Sequence, residues 1–392
     1  MSDAEPSTET APPATRPPKV LQVLPSLGTG GVERTTVDVA AALAQAGWHP
    51  LVVSAGGPMT KLVERAGARH IQLPVDSKNP WTIWRNVERL AEVIRSEVVD
   101  LVHARSRAPA WSAHHAARKA GVPFVTTFHG IYGYGNPLKR AYNAIMTRGD
   151  RVIANSFFTA DHIAQIYGVG APTVVPIPRG IDPVSFDPAR VSAERMIRQA
   201  KAWRLPEDRP VVLLPGRLTR WKGQTVLIEA MSRLGRRDVT CLLVGDDQGR
   251  NAYRSELESR VRQAGLEGVV LVTGPAQDMP AAYMLADVVV SASTDPEAFG
   301  RVAVEAQAMG RPVVATDHGG SRETVIPGET GWLVPPGDAG ALAYAIGEAL
   351  ALTPAIRAAR AIRARDHALA TYTVERMCAA TIKVYREILE GR

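Results

Sequence analysis

Cysteine is nearly absent: Cys241 and Cys378 are the only two in 392 residues. So sparse a pair provides neither a disulfide framework nor a thiolate metal cluster, and suits a reducing cytoplasm. No apolar run reaches the ~18 residues that a membrane-spanning helix requires. Aromatic residues make up only 6% of the chain, and the basic residues are scattered without an aromatic-interleaved stripe, which speaks against a nucleic-acid binder. The first 18 residues, MSDAEPSTETAPPATRPP, lack the apolar core of a signal peptide and are expected to form a disordered acidic, Pro-rich tail.

What is present is a globular composition, 45% hydrophobic and 22% charged, long enough for two domains. The net charge of +7 is unevenly placed. Residues 19–185 carry 18 Lys+Arg against 11 Asp+Glu, whereas 186–392 carry 27 against 25. The first half therefore suits an anionic partner, without choosing which.

Two stretches open alike, with an apolar strand, a Gly-rich turn and an amphipathic helix: residues 19–45 and residues 210–232. After each, short Val/Ile/Leu-rich runs alternate with helical patterns. PLVVSA, HIQLP, VDLVHA, PFVTTFH, RVIANS and TVVPIP follow the first; TCLLVG, VVLVTG, DVVVSAS, PVVAT and GWLVP follow the second. Runs apolar on both faces and separated by helices predict parallel sheets. The expected fold is α/β, with two Rossmann-like doubly wound domains facing a cleft, 19–185 and 186–373, joined near GIDPVSFDP.

The first glycine loop, Gly28-Thr29-Gly30-Gly31, lies where helix N–H groups favour a phosphate. It is not a dinucleotide fingerprint. Glu33 stands where the third glycine belongs, and the second strand ends Ser54-Ala55-Gly56 with no acid for a ribose. In the second half, Arg217 and Lys222 flank a turn, so both could meet one anion at the following helix start, as a diphosphate leaving group requires. The segment TDPEAFGRVAVEAQAM sets Glu297 in a loop and Glu305 on a helix expected to start near Phe299. Carboxylates that accept hydroxyls beside the free N–H groups of Gly300, Arg301 and Val302 suit a nucleotide sugar.

From Glu297 to Glu305 the sequence resembles the E-x7-E element of retaining GT-B glycosyltransferases, specifically the group-1 family, family 4. GTGGVER, FHG at 128–130, IPRGID, GRLTRWKG, LLVGDD, PVVATDHGG and ETGWLVPPGD extend the resemblance from about Val20 onward. The resemblance implies that Arg217 and Lys222 hold the donor diphosphate, and that Gly30 and Gly31 close on it from the other domain. Glu305 would bind the ribose and Glu297 the sugar hydroxyls, with Phe299, Gly300, Arg301 and Val302 along the sugar and phosphates. His129 would lie near the donor sugar, and the last helix, 374–392, would cross back onto the first domain.

The implied reaction moves a hexose from a UDP- or GDP-linked donor to an acceptor hydroxyl, with retention and front-face attack. No cofactor is expected. The chain has no Asp-x-Asp and two cations that can replace a metal, so no metal is expected either. The run of motifs resembles bacterial enzymes of lipopolysaccharide core synthesis; a phosphatidylinositol or exopolysaccharide acceptor is also open. The basic first half favours an anionic lipid-linked or polysaccharide acceptor, with the enzyme cytoplasmic and peripheral on the inner membrane face. Two other readings stand: a nucleotide-sugar epimerase of the same architecture, and a binding protein that has lost catalysis. Trp81, Trp84 and Trp111 read as packing residues rather than a sugar platform, although Trp81 and Trp84 follow SKNP, a loop that could face the acceptor; Tyr132 and Tyr134 read as acceptor-loop residues.

Overall fold

The structure, a computed structural model, describes residues 16–249 and 251–391. The first half runs β1 (Lys19–Val23), α1 (Gly31–Gln45), β2 (His49–Ser54), α2 (Thr60–Arg65), β3 (Arg69–Gln72) and α3 (Pro80–Ser96). It continues with β4 (Leu101–Ala104), α4 (Arg107–Ala120), β5 (Phe124–Phe128), α5 (Pro137–Asn143), β6 (Arg151–Ala154), α6 (Phe157–Tyr167) and β7 (Val174–Pro176). After α7 (Ala193–Trp203), the second half runs β8 (Val211–Pro215), α8 (Gln224–Leu234), β9 (Thr240–Val244), α9 (Asn251–Gln263), β10 (Val270–Thr273), α10 (Met279–Leu285) and β11 (Val288–Ser291). Then come α11 (Arg301–Ala308), β12 (Val313–Thr316), α12 (Ser321–Thr324), β13 (Trp332–Val334), α13 (Ala339–Leu350), α14 (Pro354–Thr371) and α15 (Val374–Glu390).

The strands fall on the apolar runs read from the sequence, β2 and β3 beginning one residue earlier, and they form two parallel sheets. The first is ordered β3-β2-β1-β4-β5-β6-β7 and the second β10-β9-β8-β11-β12-β13. Each sheet reverses its winding beside its first strand, between β1 and β4 and between β8 and β11. That switch point opens a crevice at the strands' carboxyl ends. The two glycine loops, after β1 and after β8, stand at those crevices.

The central strands are buried on both sides, which is why they read as continuous apolar runs, whereas the edge strand β3 has no buried residue. In the first sheet Leu21, Val23, Val102 and Phe128 pack toward α3 and α4. Val20, Leu101, Val125 and Ile153 face the other way, toward Met377, Cys378, Ile382 and Tyr385 of α15. The last helix thus leaves the second sheet and covers a face of the first. Its crossing is fixed where Ile181 N–H donates to Tyr372 O and Val374 N–H to Ile181 O, at 2.8 and 2.9 Å. In the second sheet α8, α9 and α13 cover one face, and α10, α11 and α14 the other.

Two expectations need correction. The disordered tail was placed at 1–18; residues 1–15 lie outside the described residues, but Arg16 is held by the Asp100 carboxylate at 2.7 and 2.9 Å. Trp81 and Trp84 are not packing residues. They sit in the first turn of α3, 61% and 60% exposed, with rings stacked 5.4 Å apart. Pro80 at the helix start, capped by the Asn79 side chain on Trp81 N–H, turns both indoles outward. Trp111 does pack, against the first core and the rings of His115 and Tyr142. Both cysteines are free and buried.

Candidate active site

The turn after β8 is shaped by backbone crowding. Gly223 begins α8 in a left-handed conformation, φ +72°, and a Cβ there would lie 1.8 Å from the Ala292 carbonyl oxygen. Only glycine lets the helix start press against the end of β11. That contact brings Lys222 to the loop after β11, where its ammonium pairs with Glu297. The same carboxylate oxygen, Oε1, accepts from Ser293 Oγ at 2.6 Å, and the Lys222 ammonium also lies 4.3 Å from the centre of the Trp221 ring. Glu297 Oε2 has no partner among the described residues. Arg217 is exposed, and its guanidinium likewise has no hydrogen-bond or ion-pair partner among the described residues.

Helix α11 starts at Arg301, two residues later than expected, because Gly300 is left-handed at φ +82° and serves as its cap. Its first intrahelical bond runs from Ala303 N–H to Gly300 O, so the N–H groups before it open the helix toward the cleft. Glu305 is buried, as its helical position predicts, and both oxygens are engaged. Arg301 Nε donates to Oε1 at 2.6 Å and the Tyr283 hydroxyl to Oε2 at 2.7 Å. Burial, and then the Glu305 charge, hold the Tyr283 hydroxyl well above its ordinary pKa, so it stays a donor. Val302 is half-buried against the second core. The Phe299 ring is turned away from the cleft, 3% exposed and edge-on to Tyr372 at 5.4 Å. What Phe299 offers the cleft is backbone.

Across the cleft, the loop after β1 is equally tight. A Cβ on Gly30 would stand 2.4 Å from the folded-back Glu33 carboxylate, and one on Gly31 2.5 Å from Arg179 Nη1. The Gly31 position also lies 3.6 Å from Nη1 of Arg301, a residue of the second half. His129 follows β5, and its Nδ1 is 3.0 Å from Arg179 Nη2. Burial, and then the charges of Arg179, Arg105 and His103, keep this imidazole well below its ordinary pKa, hence neutral. Its Nε2 is buried with no partner among the described residues.

The loop between Glu297 and Arg301 is tied to both halves. Ser156 Oγ, at the cap of α6, donates to the Ala298 carbonyl at 2.5 Å. The Glu323 carboxylate from α12 accepts the first two N–H groups of α6, Phe157 at 3.0 Å and Phe158 at 2.5 Å. The structure therefore brings Lys222 and Glu297 into direct contact, and Gly31, Arg179 and His129 into one group that Arg301 meets from the other side.

Two family models match, glycosyl transferases group 1 over residues 196–366 and glycosyltransferase family 4 over residues 29–184. A D-inositol 3-phosphate glycosyltransferase of Pseudarthrobacter chlorophenolicus is 30% identical, over 86% of this chain and 86% of its own. The chain belongs to the group 1, family 4 glycosyltransferases. A GDP-mannose-dependent alpha-(1-6)-phosphatidylinositol monomannoside mannosyltransferase of Mycolicibacterium smegmatis is 33% identical, over 72% of this chain and 75% of its own. Among solved structures, a glycosyltransferase from Rickettsia africae matches at 36% identity with a TM-score of 0.89, covering 96% of this chain and 100% of that one. Anabaena HepE, solved with UDP and glucose, matches at 26% identity with a TM-score of 0.82, over 94% of this chain and 99% of its own.

This glycosyltransferase holds residues at its cleft that sequence reasoning passed over: Tyr283, Ser293, Arg179, Ser156 and Glu323. Arg179 stood inside the quoted IPRGID, where a lone arginine between proline and glycine was a readable sign. Tyr283, Ser293 and Ser156 carried no comparable sign, since their role comes from contacts far apart in sequence. Tyr132 packs on Phe128 at 4.9 Å and under the Arg107 guanidinium at 4.4 Å, while Tyr134 is exposed. Of the adjacent acids, Asp247 is paired with Arg254 at 3.1 Å and Asp246 closes a turn on Gln248 N–H at 2.8 Å. No group of three or more His, Cys, Asp or Glu among the described residues is arranged to hold a metal ion. No single helix there is long and apolar enough to cross a membrane.

Proposed function

We propose that this glycosyltransferase moves a hexose from a UDP- or GDP-linked donor to a hydroxyl of an anionic, lipid-linked or polysaccharide acceptor, with retention and without a metal. The observation that carries the reading is the Lys222–Glu297 pair with uncommitted Arg217 on the same turn. Lys222 and Arg217 supply two positive charges for the departing diphosphate, whose negative charge grows as its bond to carbon breaks. Glu297 Oε2 is free for sugar hydroxyls. Each oxygen of Glu305 can accept a second hydrogen bond, which leaves room for a ribose diol beside Tyr283 and Arg301. Gly30, Gly31, the cap of α11 and His129 complete the donor site; the acceptor oxygen attacks from the face that the diphosphate leaves, and its proton passes to the departing phosphate oxygen as the bond from carbon to that oxygen breaks. Catalysis is then positioning plus stabilisation of the leaving group.

For the acceptor, support comes from charge and from relatives. Residues 19–185 carry the net +7, and the relatives named above act on an inositol phosphate and on a phosphatidylinositol monomannoside. The exposed Trp81–Trp84 pair, with Arg85 5.8 Å from the Trp81 ring, suits a membrane interface where the acceptor is lipid-linked. The likeness to WaaG of lipopolysaccharide biosynthesis, at 20% identity and a TM-score of 0.72, is one of fold.

The test is turnover of UDP- and GDP-hexoses with inositol phosphate and phospholipid acceptors, in excess EDTA, with the product anomer read by NMR. Transfer with the donor's anomeric configuration, undiminished by EDTA, is expected. Inversion, a loss of rate that Mg²⁺ restores, or conversion of a UDP-sugar with no acceptor present would each overturn part of the reading. The last outcome would favour an epimerase.

A further inference from the structure

We propose that Arg179 is a positioning residue that fixes His129 as a permanent Nε2–H donor, so that His129 meets the bound donor through a hydrogen bond and takes no proton from the acceptor. The proposal rests on the place given to His129 in the donor site, and it assigns the protonation that this place requires.

A guanidinium has five N–H donors and no acceptor, so at 3.0 Å the Arg179 Nη2 must donate and His129 Nδ1 must accept. A neutral imidazole has one proton, and with Nδ1 accepting, that proton is on Nε2. Tautomers usually have to be inferred from ambiguous surroundings. Here the partner's chemistry allows one answer. Nε2 is buried without a partner among the described residues, so it is a donor with nothing to donate to. A buried unmet donor is costly, and persists where a ligand supplies the acceptor.

A second proton would have to enter at Nδ1, directly against the guanidinium. The groups that act on the ring are Arg179 from the loop after β7, and Arg105 and His103 from β4 and its end; all three oppose protonation. The Tyr132 hydroxyl bonds the His129 backbone and leaves the ring free. Four groups act on Arg179: the cations Arg301 and Arg105 lower its pKa, while the Tyr132 hydroxyl and the Glu33 carboxylate raise it. Burial and those cations bring its pKa down to about 10, so it remains charged at neutral pH. Its own Nε is also buried and unpartnered among the described residues. With Nη1 at Gly31 and Nη2 at His129, Arg179 links the glycine loop and the histidine that face the donor from the first half.

The test reads the tautomer directly. In protein labelled at its nine histidines, with the His129 signal assigned by its loss in His129→Gln, nitrogen-15 NMR should show Nε2–H only and no titration between about pH 5 and 8. Arg179→Met should give mixed tautomers and a pKa that moves toward the ordinary ~6.5. It should also lower kcat about tenfold to a hundredfold with donor KM little changed, and Arg179→Lys should recover part of both. A wild-type His129 carrying its proton on Nδ1, or titrating near neutrality, overturns the proposal without need of any variant. So does an Arg179→Met protein in which the tautomer stays fixed. If instead His129→Gln keeps full turnover, the place of His129 in the donor site is wrong while the NMR result stands.

Discussion

Lys222 and Glu297 neutralise each other, and this shapes what their removal should do. Both side chains are mostly buried, 14% and 13% exposed, so each protects the other from an unpaired charge. Arg217 has no such partner, and its loss should leave the fold alone. Arg217→Ala and Lys222→Ala are each expected to lower kcat/KM by two to three decades, about 3–4 kcal/mol of transition-state stabilisation. Arg217→Ala should unfold at the wild-type urea midpoint and Lys222→Ala earlier; an Arg217→Ala enzyme that keeps most of its turnover removes it from the diphosphate site. Tyr283 poses the opposite case, a side chain whose contribution is structural and local. Tyr283→Phe deletes one of the two donors to buried Glu305 and should cost about 1–3 kcal/mol in urea unfolding. Donor affinity should fall with it, and unchanged affinity would show that Glu305 does not hold the ribose. At this scale the sequence was only partly legible. Glu297 and Lys222 are 75 positions apart, and the motifs that hold them could be read separately. Tyr283 and Ser293 could not be placed, because contact across a sheet or a cleft leaves no spacing in the sequence.

Elements were far more legible than contacts. A parallel strand buried on both sides has to be an apolar run, so the central strands announced themselves. Short pieces did not: α2, α5 and α12 are four to seven residues long, too short for a periodicity of their own. Helix α3 shows the limit in another way. Its pattern predicts a helix, yet whether Trp81 and Trp84 face the core or solvent depends on where Pro80 starts the first turn. With both rings exposed, Trp81→Ala/Trp84→Ala should weaken binding to vesicles rich in anionic lipid by about tenfold or more, measured by sedimentation. Unchanged binding would end the membrane role for this face. Helix α6 carries a different load. Glu323 accepts its first two N–H groups from the opposite half, where the helix dipole favours negative charge. Glu323→Ala should weaken closure by about 1–3 kcal/mol, seen as a larger radius of gyration by X-ray scattering without donor and a higher donor KM.

The whole molecule is bound together by its last helix, because α15 belongs by sequence to the second half and by packing to the first. Its deepest anchor is Tyr385, fully buried, whose hydroxyl meets His103 Nδ1 at 2.5 Å while His103 Nε2 meets Thr127 Oγ1 at 2.7 Å. The ring is thus fixed between β4, β5 and α15. Burial, and then Arg105, hold His103 well below its ordinary pKa. The sign follows from proton counting. Above about pH 6.5 neither the folded nor the unfolded chain protonates this ring, and stability does not depend on it. As the pH falls below that value the unfolded chain takes up a proton that the folded chain refuses, so stability is lost until the depressed folded pKa is reached. For one such group the loss between about pH 6.5 and pH 5 is roughly 2 kcal/mol, and His129 adds to it in the same window. Chemical denaturation of wild type and His103→Gln at about pH 7.5 and about pH 5 measures the difference. The variant should be less stable than wild type at the higher pH, since it disturbs a buried network, and should lose less on acidification. A variant with the same acid sensitivity as wild type would mean that His103 already takes up its proton in the folded chain.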